Sequence, residues 1–182
     1  MEILETERLI LRGFRQSDLD DLFAYAQNPA VGPAAGWKPH ESREESRRIL
    51  DMFMEQGDVW ALEYRASGHV IGSLGLHRDP KRPGANARML GYVLAQEHWG
   101  QGLMTEAARR AVRYAFEVLG VEVLSVYRFP FNGRSARVIE KCGFVPEGTL
   151  RRSYRRYDGA VLDEQLYSLL REEYFAAQGR NA

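Results

Sequence analysis

The sequence predicts one mixed α/β domain whose helices cover both faces of a central sheet. Three observations carry this. Hydrophobic spacing switches between helical and extended periods in the order β-α-α-β-β-β-α-β-α-β-β. That order lacks the strict β-α alternation of a doubly wound nucleotide fold. The chain has 182 residues, 45% of them hydrophobic, which suits one full core rather than two. The domain is expected over residues 1–175, with a frayed tail from Ala176 to Ala182.

Leu9 to Phe14 reads as the first strand. Ser17 then caps a helix whose start carries Asp18, Asp20 and Asp21 and whose apolar stripe is Leu19, Leu22, Phe23 and Ala26; Pro29 ends it. Val31 to His40, with its glycines and prolines, predicts a loop. Ser42 and Glu45 form a capping box, and Ile49, Leu50, Phe53 and Met54 carry that helix to Gly57. Val59 to Tyr64 and Val70 to Leu76 are strand-like around a Ser67-Gly68 turn, and Asp79 to Ala85 is a second loop. Arg88 to Leu94 is a strand. Leu103, Ala107, Ala111, Ala115 and Leu119 recur at helical spacing, with Gly120 as the stop. Val121 to Phe129 is a strand and Arg134 to Cys142 a short helix. Phe144 to Tyr154 and Val161 to Leu170 are strands joined through Tyr157-Asp158-Gly159.

Composition excludes several classes. Lys plus Arg and Asp plus Glu number 25 each, so a nucleic-acid binder with its usual basic excess is not expected. Cys142 is the single cysteine, so no intrachain disulfide can form. The acidic start, Met1 to Glu7, lacks the apolar run of a signal peptide, and no stretch is apolar enough to span a bilayer. A cytoplasmic location without membrane contact is the expectation. His40, His69, His77 and His98 show no metal-ligand spacing, so no metal site is expected.

The most informative stretch runs from Leu90 to Ala107: an apolar strand, a turn holding Gly100 and Gly102, and a helix start. A helix start offers unpaired N–H groups and the positive end of the macrodipole, and glycine lets a ligand approach the backbone. Such a turn suits a phosphate or pyrophosphate. A dinucleotide fingerprint needs a third glycine where this chain has Thr105, and the P-loop pattern is absent.

Trp99-Gly100-Gln101-Gly102-Leu103-Met104-Thr105-Glu106-Ala107 resembles the acetyl-CoA pyrophosphate loop of the GNAT N-acetyltransferases. Asn132 to Phe144 resembles their Asn-x-x-Ser/Ala…Gly-Phe helix. Thr6 to Arg12 and Tyr167 to Tyr174 resemble the branch that includes the ribosomal-protein N-terminal alanine acetyltransferases, so the likeness spans nearly the whole chain. It implies the GNAT fold, with about seven strands in a mixed sheet. It implies acetyl-CoA as co-substrate and an amine acceptor, either a protein N-terminus or a small molecule such as a polyamine. Carried over, Val93 and Leu94 offer backbone groups to the pantetheine arm. Trp99, Gly100, Gln101, Gly102, Leu103, Met104 and Thr105 hold the pyrophosphate, and Asn132 and Ser135 join them. Relatives occur as monomers and homodimers.

Acetyl transfer needs a neutral amine, a polarised thioester carbonyl and a stabilised thiolate. The resemblance leaves two of these poorly supplied. The usual general-acid tyrosine is Ile139 here and the usual glutamate base is Met89. Ser135 is the candidate partner of the thiolate and Glu164 the candidate base, with Asp163 and His77 as other carriers. Trp37 and His77 are expected at the acceptor. The two departures motivate an alternative, a CoA-binding regulatory module without turnover.

Overall fold

A computed structural model of the chain describes residues 1–179. Eight strands form one sheet: β1 (Leu4–Glu5), β2 (Leu9–Gly13), β3 (Val59–Tyr64), β4 (Val70–Arg78), β5 (Ala87–Leu94), β6 (Val123–Arg128), β7 (Val145–Arg155) and β8 (Val161–Leu170). They lie in the order β1-β2-β3-β4-β5-β6-β8-β7. Every neighbouring pair is antiparallel except β5 and β6. Helices α1 (Leu19–Ala26), α2 (Gly32–Ala35), α3 (Arg43–Gln56), α4 (Leu103–Glu117), α5 (Gly133–Lys141) and α6 (Arg171–Ala177) complete the chain.

Four elements differ from the sequence reading. Ser17 does not cap α1: it lies inside a 3-10 turn, Gln16–Asp18, that precedes the helix, and the Asp18 carboxylate turns to Arg12 and the Arg15 N–H instead of capping. Leu4 and Glu5 add an eighth strand, too short for any periodicity to register, but fully paired to Leu11 and Ile10. The expected loop from Val31 to His40 contains α2, which Pro33 starts and Gly36 stops in a left-handed conformation. The chain after β8 forms α6, so the expected tail begins inside a helix that runs to Ala177. Glu173 receives the N–H of Leu170 and closes that helix start. Residues 180–182 of the expected tail lie outside the described residues.

The two faces of the sheet are packed differently. On one face α4 lays an alanine-rich stripe, Ala107, Ala108, Ala111 and Ala115, against Leu74, Leu90 and Leu124. Small side chains let the helix sit close, and Leu103 and Phe116 fill the ends. Ile139 of α5 and Tyr174 of α6 belong to the same core. On the other face α1 and α3 cover the β2–β4 half through Leu22, Tyr25 and Leu50. The remaining half of that face is crossed by residues 79–86, a strap between β4 and β5. Buried Asp79 anchors it, accepting from Ser125 Oγ and Tyr127 Oη at 2.7 Å each. Arg82 of the strap pairs with Glu147 on β7, and Lys81 with Glu164 on β8.

The parallel pairing of β5 and β6 is short. It runs from Ala87↔Val123 to Met89↔Ser125 and then stops, while β5 stays paired to β4 as far as Leu94. The two strands therefore splay beyond Met89. The edge of β5 that faces β6 is left open over Leu90 to Leu94.

Candidate active site

A cavity of about 610 Å³ fills that splay, walled by β5, the turn after it, the start of α4, β6 and α5. Gly100 and Gly102 hold φ angles of +77° and +80°, where a side chain is strained. The second of these is the N-cap of α4 and brings no capping side chain. Among the described residues, none of the six amides from Gly100 to Thr105 donates to another group of the protein. Five of the six residues line the cavity. Such a run of free donors at a helix start fits an anion. Gln101 is the sixth; its side chain turns back to the Glu97 carbonyl at 3.0 Å, and its own carbonyl accepts from Arg8. Leu103 and Met104 sink their side chains into the core while their backbone faces the cavity.

Val93 and Leu94 lie on the open part of β5, on the cavity wall. The Leu94 carbonyl is already taken by the Trp99 indole N–H at 2.7 Å. Trp99 in turn carries the Arg134 guanidinium over its ring, 3.9 Å from the centroid. Arg134, Arg137 and Lys141 all line the cavity from α5.

Asn132 caps α5 by accepting from Ser135 N at 3.1 Å, and its amide donates to the Ala34 carbonyl at 3.1 Å. This second bond ties α2 across the cavity. Tyr154 adds a parallel tie to the Gly36 carbonyl at 3.2 Å. A Cβ on Gly36 would sit 2.7 Å from the Tyr154 hydroxyl, so the tie needs glycine there. Ser135 is buried, and its Oγ shares a hydrogen bond of 2.9 Å with Tyr92 Oη. Burial pushes the Tyr92 hydroxyl well above the ordinary phenol range, so it stays protonated. Sequence reasoning passed over Tyr92 because nothing local marks a strand tyrosine that meets a helix 43 residues downstream.

Glu164 is buried and lines the cavity at the end away from the glycine turn. It accepts from Ser153 Oγ at 2.8 Å and from Lys81 Nζ at 3.3 Å, and that ammonium lies 4.0 Å from the Tyr127 ring centroid. Met89 lines the same end, and Ile139 lies in the core. Asp163 accepts from the N–H of Arg152, which is the one non-glycine residue with positive φ among the described residues.

The two residues expected at the acceptor are not on the cavity wall. Trp37 is turned inward, packed against Gly32 and within 5.4 Å of the His40 ring, and it anchors α2. His77 sits opposite Met89 in the β4–β5 ladder, but its Nδ1 is held by Asp58 at 2.9 Å and its ring covers Gly75 and Gly91. Among the described residues no group of His, Cys, Asp and Glu is arranged to hold a metal ion, and no helix is long and apolar enough to cross a membrane.

Residues 8–145 match the family model of the GNAT acetyltransferase domain. The chain is similar to the uncharacterized N-acetyltransferase YoaA of Bacillus subtilis, 32% identical over 174 residues, covering 93% of this chain and 97% of that one. It is also similar to the ribosomal protein uS5-alanine N-acetyltransferase of Escherichia coli, 31% identical over 179 residues, covering 91% and 89%. Among solved structures, the spermidine N-acetyltransferase of Vibrio cholerae in complex with CoA and spermine superposes with a TM-score of 0.78 at 22% identity, covering 93% of this chain and 99% of that one. Nothing in these likenesses supports a module without turnover. The chain belongs to the GNAT family of acetyltransferases and is an N-acetyltransferase.

Proposed function

We propose that the protein transfers an acetyl group from acetyl-CoA to a primary amine by direct attack in a ternary complex, with a protein or peptide N-terminal amine as the acceptor. The observation that carries the cofactor half is the row of six unpartnered amides from Gly100 to Thr105, at the mouth of the splay between β5 and β6. A pyrophosphate needs several donors and positive charge; these amides, with Arg134, Arg137 and Lys141, supply both. The open edge of β5 suits the amide-bearing pantetheine arm, which pairs with backbone as an added strand does. The acceptor class rests on the similarity to an alanine N-acetyltransferase acting on a ribosomal protein.

Acetyl-CoA supplies an activated thioester. A β5 amide near Val93 polarises its carbonyl, as an oxyanion site requires. The Ser135 hydroxyl donates to the departing sulfur, and the Tyr92 hydroxyl donates to Ser135 and orients it. Glu164 receives the acceptor amine and its proton, in exchange for part of its contact with Lys81. Cys142 offers no route through an acyl-enzyme. Burial pushes its thiol up to about 11, and it lies off the cavity wall.

Thermal unfolding with acetyl-CoA, CoA, NAD and ATP tests the cofactor. A ligand at about a hundred times its Kd adds roughly 2.7 kcal/mol and raises the midpoint by about 5–10 °C. A shift with acetyl-CoA and CoA only is expected; no shift with either overturns the reading. Mass spectrometry of peptides with N-terminal alanine or serine, beside spermidine, then tests the acceptor. Acetylation of spermidine and no peptide would overturn the protein-acceptor assignment alone.

A further inference from the structure

The residue before the first glycine of the turn is Trp99, and a phosphate held by the amides that follow would lie within reach of a polar side chain placed there. Trp99 cannot donate to a phosphate, because its single donor is spent on the Leu94 carbonyl at 2.7 Å. That bond has another consequence. It fixes the indole plane against β5 and presents one aromatic face to α5, and the Arg134 guanidinium rests on that face at 3.9 Å.

Arg134 is otherwise free. Among the described residues it makes no hydrogen bond or ion pair. Stacking on an aromatic face uses none of the five guanidinium N–H donors, so all remain available in the plane of the group. Both side chains line the cavity beside the unpartnered amides of Gly100 to Thr105. A cation with unused donors, held in place by a neutral platform, is built to meet an anion rather than to stabilise the fold.

We propose that Trp99 and Arg134 act as one phosphate-binding unit. Arg134, delivered from α5, supplies the cation for the CoA pyrophosphate, and Trp99 is the platform that aims it. The proposal rests on the acetyl-CoA reading above. It adds that the cation facing the turn comes from another helix across the cleft, not from the turn itself.

Calorimetric titration with CoA and with dephospho-CoA, which keeps the pyrophosphate but lacks the 3′-phosphate, tests this. Arg134→Gln weakens both ligands equally, by about 10- to 100-fold, the range of a lost charge-assisted contact. Trp99→Ala weakens both by about 3- to 10-fold, while Trp99→Phe, which keeps an aromatic face, stays within about twofold. The double variant Trp99→Ala/Arg134→Gln binds about as well as Arg134→Gln alone, because the platform has nothing left to aim. Unchanged binding by Arg134→Gln overturns the proposal, as does strict additivity in the double variant. A loss for CoA without a loss for dephospho-CoA places Arg134 at the 3′-phosphate and also overturns it. If Trp99→Ala fails to fold, Arg134→Gln and Trp99→Phe still decide. If the unaltered protein binds neither ligand, the acetyl-CoA reading fails first and takes this one with it.

Discussion

The two ends of the cavity are built on opposite plans. At the glycine-turn end the donors are backbone amides without partners among the described residues, and the cations that α5 brings to the wall, Arg134, Arg137 and Lys141, make no ion pair among those residues. At the other end the polar side chains on the wall are already engaged: Glu164 with Lys81 and Ser153, and Tyr127 with Asp79, which lies behind the wall. The first end is ready for a ligand as it stands. At the second, a ligand must displace an existing bond, so it gains only the difference between the two. Under the proposed function, a preformed site for acetyl-CoA sits beside a guarded site for the acceptor.

Disabling the first end should have the largest effect. Gly102→Val forces a β-branched residue to φ +80° and places a side chain where the ligand approaches. Acetyl-CoA affinity should fall by about 100-fold or more, while Gln101→Val stays within about threefold. Equal losses in the two variants, by calorimetry, would mean that backbone access is not what the turn provides.

The link between the ends is probed next. Ser135→Ala should lower turnover by about 10- to 100-fold with the acetyl-CoA Kd within about twofold, and Tyr92→Phe should lower it less. Unchanged turnover in single-turnover assays would remove Ser135 from the chemistry. For the guarded end, Asp79→Asn should cost about 2 kcal/mol in urea unfolding, since it leaves Arg82 and two hydroxyls poorly paired beneath the strap. A loss under about 0.5 kcal/mol would show that the strap is held by something else.

The smallest effect is in pH. Burial drives the Asp79 carboxyl up, but hydrogen bonds from Tyr127, Ser125, the Lys81 N–H and Arg82 outweigh it and hold the group below its ordinary value of 3.8. A carboxylate depressed on folding stabilises fully above that ordinary value and loses its contribution as pH falls below it. The stability gap between the unaltered protein and Asp79→Asn should thus be complete at pH 7 and narrower at pH 3. A gap that is constant across that range would show that the charge of Asp79 contributes nothing.

Most helix boundaries were legible where a local rule sets them; the exception is Ser17, expected to cap α1, which lies inside a single 3-10 turn (Gln16–Asp18) that precedes the helix, leaving Asp18 at the N-cap position without a capping side-chain bond. Ser42 does cap α3 by accepting from Glu45 N, and the alanine stripe of α4 is the buried face that its spacing predicts. The edge strand β1 and the helix α2 were not, because a two-residue pairing and a four-residue turn leave no period to read. The same split divides the site. Glycines, a strand end and a helix start are neighbours in sequence, so the turn was readable at once.

By itself, then, the sequence determined the fold class and the glycine turn at a helix start, because each depends on residues a few positions apart acting through backbone geometry, and it carried the motifs by which the chain resembles its family. Only the tertiary structure decided which side chains face that turn and which are already spoken for. It brought Arg134 onto Trp99, Tyr92 onto Ser135 and Lys81 onto Glu164, and it turned Trp37 and His77 away from the cavity wall. The physical reason is that a side chain's role depends on the partners nearest to it in space. Those partners come from strands and helices whose separation along the chain carries no pattern.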